Sequence, residues 1–170
     1  SFASRWLSAR LTNFFEICPD LSLKIESINS IDEFSKANFS IAILWGDGWS
    51  DFEYELLMSS SSYILGNRKI YDHTKSLSLE EAMKKTPLLS DGFYGGHGGM
   101  KAWHKTANLE YKPSKSSLKI TDAFTRLQAV IDGQGIALWD ELVDEEIKSG
   151  KLFYISDIED TNNHPHDYNF

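Results

Sequence analysis

Apolar residues along this chain recur at two spacings, and the alternation between them predicts an α/β protein. The clearest instance is residues 120–139, ITDAFTRLQAVIDGQGIALW. Thr121 or Asp122 can cap a helix there, because a short side-chain oxygen accepts from the free backbone N–H groups of a first turn. Phe124, Leu127, Val130 and Ile131 follow at helical spacing. Gly133 fits the left-handed residue that ends helices, and Gly135 frees the turn that follows. Residues 136–139 are an apolar run of strand length, which a sheet covered on both faces would bury.

The same reading applied along the chain predicts a helix over 1–17, with Leu7, Leu11, Phe14 and Cys18 on one stripe. Trp6, Phe15 and Ile17 widen that stripe, so this helix has a second thing to pack against. Pro19-Asp20 stops it, and 21–27 alternates as a strand with Leu21, Leu23 and Ile25 on one face. A short helix over 31–38 precedes buried-strand material at 39–45 and a sharp turn at 46–48. Residues 52–65 predict one or two extended segments around the serine run 59–62. Helices are expected over 78–85, 100–106 and 141–149, and strands over 87–90, 118–120, 151–155 and from Tyr168. Residues 91–99 are Gly-rich and read as a loop. Strands alternating with helices imply largely parallel sheets, two of them.

At 170 residues one domain or two small lobes can bury a core. A net charge of −8 without a basic run excludes gripping nucleic acid through this chain itself. No apolar run approaches the roughly 20 residues that span a bilayer, and the N-terminus lacks the order of a signal peptide. The single cysteine, Cys18, leaves no internal disulfide and suits a reducing compartment.

Candidate chemistry is sparse. The loop GFYGGHGGMK resembles a phosphate cradle, but Ala102 stands where a P-loop has its Ser or Thr after Lys101. His97, His104, His164 and His166 lack the spacing of a metal site. The serine run has no Gly-x-Ser-x-Gly elbow around it. No catalytic residue, metal or cofactor is therefore expected. Asp47 and Asp51 beside Trp45 and Trp49 could hold a cation, though they also suit a plain loop. Two helix starts stand out, 1–4 and Thr121-Asp122, where free N–H groups could share a small polar ligand.

Several segments in order resemble the effector-binding domain of LysR-type transcriptional regulators. They are SFASRWL with the following Pro19-Asp20-Leu21, SIAILWGDG at 40–48, LQAVIDGQGIAL at 127–138, Gly150-Lys151-Leu152, and Tyr168. The details lean toward the branch with the glycine-cleavage activator and the β-lactamase regulator. The resemblance implies two Rossmann-like lobes of the type 2 periplasmic-binding-protein fold, joined by two crossover strands. Lobe I would be 1–58 plus 158–170, and lobe II 59–157. The effector would lie between them, contacted by Ser1, Phe2, Ala3, Asp32, Trp45, Thr121, Asp122 and Tyr168. Effector domains of this family pair antiparallel through the first helix, which assigns Trp6, Arg10, Phe15 and Ile17 to a dimer interface.

The resemblance also implies an N-terminal winged helix-turn-helix that this chain lacks. The chain is thus expected to be part of a longer cytoplasmic regulator. The strand that normally precedes SFASRWL and the final helix are missing too. That regulator would be a dimer or tetramer, reach DNA only through the missing domain, and have no membrane contact. Ser40 replaces the family's Asp, Val130 a small Ala, and Leu44 an Arg. Loss of that cation, with Asp32 and Asp122 present, favours a ligand that carries an amine or is neutral. A transporter's solute-binding protein shares the fold and is the alternative, and an enzyme on the same fold is a second. The missing signal peptide speaks against the first, and the missing acid–base pair or nucleophile against the second.

Overall fold

The computed structural model describes residues 2–26, 39–45, 53–59, 61–90, 100–110, 118–140, 142–158 and 168–169. The helix expected over 31–38, the turn at 46–48 and the loop at 91–99 lie outside them. The chain forms two compact units, Ser1–Ala42 and Ile43–Phe170.

In the first unit, helical turns run from Phe2 to α1 (Leu11–Ile17). They are irregular, with a π turn over Ala3–Leu7 and a 3-10 turn over Ser8–Arg10 before the regular helix. After Pro19-Asp20 the expected strand does not form: residues 21–26 carry no ladder. Leu21, Leu23 and Ile25 are exposed at 49%, 43% and 47%. Alternation prescribes an extended backbone, but a strand also needs a partner to take its hydrogen bonds.

The second unit carries two groups of strands. β1 (Leu44–Trp45), β2 (Leu56–Met58) and β8 (Tyr168–Asn169) form one antiparallel sheet in the order β1-β8-β2. The serine run thus joins two strands, since β2 ends just before it and β3 (Ser62–Asn67) begins at its last serine. β3 lies between β6 (Ala137–Asp140) and β7 (Leu152–Tyr154), antiparallel to both. β4 (Leu89–Ser90) pairs with β5 (Leu118–Lys119) in parallel, and a parallel bridge from Leu88 to Ile136 joins that pair to β6. The resulting order is β7-β3-β6-β4-β5. Only the β4, β5 and β6 side of it matches the parallel expectation. An apolar run specifies burial on two faces, and burial does not fix strand direction.

Both faces of this sheet are covered. Ile64 and Leu65 are neighbours in β3, are 0% and 1% exposed, and belong to different clusters. Side chains alternate across a strand, so one points to each face. Leu65, Leu89 and Ala137 meet Leu127 and Val130 of α5 (Ala123–Ile131), with Ile147 of α6 (Asp144–Lys148) at the margin. Ile64, Leu88 and Ile136 meet Trp103 of α4 (Met100–Thr106). Ile70 of α2 (Arg68–Thr74) and Leu79 and Met83 of α3 (Leu79–Lys85) complete that side. Two faces of helices on one sheet is the layering that the α/β pattern predicts.

Ser78 starts α3 with a reciprocal capping box to Glu81, as the sequence pattern implies. No helix among the described residues is long and apolar enough to cross a membrane.

Candidate functional site

The junction between β5 and α5 is built by short-range chemistry and fixed by neighbours. Leu118 donates to Leu88 O at 3.1 Å and Ile120 donates to Ser90 O at 2.8 Å, which anchors the end of β5 to β4. Asp122 then takes an extended backbone (φ −68°, ψ 121°), and its Oδ1 accepts from Thr125 N at 2.8 Å. Thr125 Oγ1 donates to the same oxygen at 2.6 Å. Of the two candidate caps, Asp122 is the one used. Thr125's hydroxyl, then its amide, hold this exposed carboxyl below the usual carboxylate range. Thr121, one residue earlier, is exposed and precedes the helix.

The pattern gave no sign of Arg126. Its Nη1 donates to Ile120 O at 2.6 Å and to Thr121 O at 3.3 Å. Its guanidinium also lies 5.1 Å from the centre of the buried Trp139 ring on β6. An Arg four residues after a cap looks like ordinary helix surface, because neither acceptor nor ring is visible in the helical period. Ser90 was missed as well. Its Oγ is buried without a hydrogen-bond partner among the described residues, a polar group that buried sites rarely leave unsatisfied.

In the other sheet, Trp45 and Tyr168 stand directly opposite each other across β1 and β8, and Met58 of β2 is opposite Tyr168 from the far side. Two candidate contacts some 120 positions apart in sequence are thereby neighbours in one ladder, with Tyr168 on its central strand.

In the first unit, Phe2 is buried and stacks on Trp6 at 4.9 Å between ring centroids. Ala3 opens the π turn and is half-buried. Arg10 lies over the Trp6 ring at 4.2 Å and donates to Trp6 O at 2.9 Å. Two of the four expected dimer residues therefore engage each other, while Phe15 (38%) and Ile17 (81%) are exposed. Ser1 and Asp32 lie outside the described residues.

Among the described residues no group of His, Cys, Asp and Glu could hold a metal ion. His104 is buried, with Nδ1 2.7 Å from Met100 O and its ring edge-on to Trp103. Burial pushes its pKa down, partly offset by the Met100 carbonyl. It belongs to the packing beneath α4 rather than to an open site.

No family model matches the chain. It is 25% identical over 154 residues to the glycine cleavage system transcriptional activator of Escherichia coli K12, a match covering 89% of the chain and 50% of that protein. It is 28% identical over 155 residues to the HTH-type transcriptional regulator PerR of the same organism, with the same coverage. The chain thus spans about half the length of these relatives, which are regulators of transcription. Among solved structures, the effector domain of the transcriptional regulator AmpR of Pseudomonas aeruginosa superposes with a TM-score of 0.77 at 19% identity. That match covers 99% of this chain and 79% of the other. CrgA, a LysR-type transcriptional regulator from Neisseria meningitidis, gives 0.80 at 16% identity, covering 99% and 57%. The order of elements, the mixed sheet covered on both faces and these likenesses converge: the chain has the type 2 periplasmic-binding-protein-like fold of a LysR-type effector-binding domain, and its relatives in sequence are bacterial transcriptional regulators.

Proposed function

We propose that this chain is the effector-sensing part of a bacterial LysR-type transcriptional regulator. It carries no catalysis and acts in the cytoplasm, where its longer protein reaches DNA through an N-terminal winged helix-turn-helix. Lobe I comprises 1–58 with 158–170, and lobe II 59–157. The ligand is a small polar metabolite, contacted by Ser1, Phe2, Ala3, Asp32, Trp45 and Tyr168 on one lobe and by Thr121 and Asp122 on the other. A ligand that prefers one arrangement of the lobes or subunits shifts the population toward it, and so alters the attached DNA-binding domains. The regulator works as a homodimer or tetramer, in which Trp6, Arg10, Phe15 and Ile17 of the first helix face a second copy.

The observation that carries this reading is the match to a transcriptional activator along 89% of the chain. It favours regulation over the transporter alternative, because the matched relatives control transcription. Asp122, held ionised as a cap, and Leu44 in place of a cation favour an amine-bearing or neutral ligand over a dianion.

The test is a thermal-shift screen against amino acids and cell-wall fragments, since a ligand selective for the native state raises the midpoint. For any compound that does so, Thr121→Ala should raise the calorimetric Kd on the order of tenfold, the worth of one hydrogen bond to a charged group. The midpoint without ligand should stay nearly unchanged, because Thr121 is exposed. Unaltered affinity in Thr121→Ala and Ser1→Ala together would remove this site. A full-length transcript with no helix-turn-helix coding region would remove the regulator reading.

A further inference from the structure

We infer that Arg126 is the positioning residue of the lobe II contact: it fixes the backbone that presents Thr121 and Asp122 and touches no ligand itself. This inference rests on the reading of Thr121-Asp122 as an effector contact.

The residues between β5 and α5 have few constraints of their own. Ile120 is tied to β4 through its N–H, which donates to Ser90 O at 2.8 Å, and Asp122 is tied to the helix through Thr125. Arg126 spans that gap from the first turn of α5. One terminal nitrogen donates to both Ile120 O and Thr121 O, at 2.6 and 3.3 Å. A cation on two consecutive carbonyls fixes the two peptide planes that flank the Thr121 Cα, and with them the direction of the Thr121 side chain and of the Asp122 N–H.

Arg126 is itself anchored. Its guanidinium lies 5.1 Å from the ring centre of Trp139, which β6 holds in the core at 9% exposure. Arg126 N also donates to Asp122 O at 3.0 Å, closing the first helical hydrogen bond back onto the cap. The chain of contacts therefore runs from the buried sheet, through Trp139 and Arg126, to the Ile120–Thr121 carbonyls. A planar fork that can stack on a ring while donating at its edge is what guanidinium offers and ammonium does not.

The experiment is residue-resolved amide hydrogen exchange on the wild-type chain, Arg126→Met and Arg126→Lys. Arg126→Met should speed exchange at the Ile120 and Thr125 amides on the order of tenfold relative to Ile64 and Leu65 in β3, as expected for losing one charge-assisted hydrogen bond locally. Arg126→Lys keeps a cation and a donor and should recover part of that protection. Equal exchange in wild type and Arg126→Met at those two amides, or an equal rise at every amide, overturns the positioning role. Should Arg126→Met fail to fold, Arg126→Lys against wild type decides by the same two amides.

A second arm separates this inference from the reading beneath it, with the standard amino acids as probes in the thermal-shift assay. For a probe that raises the wild-type midpoint, Thr121→Ala and Arg126→Met should both lose the shift. Loss in Thr121→Ala with retention in Arg126→Met overturns the positioning role alone. Retention in both variants overturns the effector contact, and the exchange rates then decide whether Arg126 braces the junction. A panel that moves no midpoint leaves the same exchange rates as the deciding result.

Discussion

Asn67 holds two helices that are distant in sequence. Its Oδ1 accepts from Ile70 N at 3.0 Å and caps α2, while its Nδ2 donates to Ile131 O at 3.2 Å and satisfies a carbonyl at the end of α5. Asp122 works over a shorter range, capping only its own helix. The difference explains what could be foreseen of each. A cap that serves the next turn is visible as an Asp or Thr before an apolar period. A side chain whose second partner lies 64 positions away is not. The same holds for Arg126, whose ring partner sits on another strand. His104 belongs to this scale because burial, not sequence, sets its chemistry. Its folded pKa is lowered from the ordinary 6.5. The unfolded imidazole therefore takes a proton first as pH falls, and stability present above about pH 6.5 declines below it. The thermal midpoint of the wild type should drop more steeply than that of His104→Gln between about pH 7.5 and 5.5. Parallel slopes would show that His104 protonates equally in both states.

At the level of elements, the α5–β6 unit was the best read. Its spacing, its cap and its glycine stop are all local, and Gly133 does adopt φ +77°. Gly135 is needed for another reason than a free turn. A Cβ there would press into the carbonyl oxygen of Pro87, where the chain approaches β4 to make the Leu88–Ile136 bridge. Gly135→Ala should therefore destabilise the protein by about 2 kcal/mol or more, the cost of forcing backbone apart in a packed region. Urea unfolding measures it. A change below about 0.5 kcal/mol, the ordinary range of surface substitutions, would show that the strand has room to move. The helix α2 was not foreseen, because RKIYDHT has one aliphatic side chain and no clear apolar period. It forms through the Asn67 cap and the packing of Ile70, with Tyr71 stacked on Phe153 at 5.1 Å. The converse case is 21–26, where a good alternating pattern meets no ladder partner.

For the whole molecule, the first helix carries more apolar surface than its own unit covers, with Ile17 81% exposed. If a second copy covers it in the proposed dimer, Phe15→Glu places a charge in that contact and should shift sedimentation toward the monomer. An unchanged sedimentation coefficient across a tenfold dilution range, for wild type and variant alike, would count against this face as the interface. Sequence by itself determined the α/β class, most of the helices and strands, the cap and glycine positions and, by resemblance, the family of folds. Each of these depends on neighbours within one or two turns, so a single chain segment states it fully. Tertiary structure alone decided that β3 runs antiparallel to β6 and β7, that Trp45 and Tyr168 share a ladder, and that Asp122 caps while Arg126 braces. Those outcomes depend on which distant groups hydrogen-bond, and hydrophobic patterning specifies which side of an element is buried without naming what it is buried against.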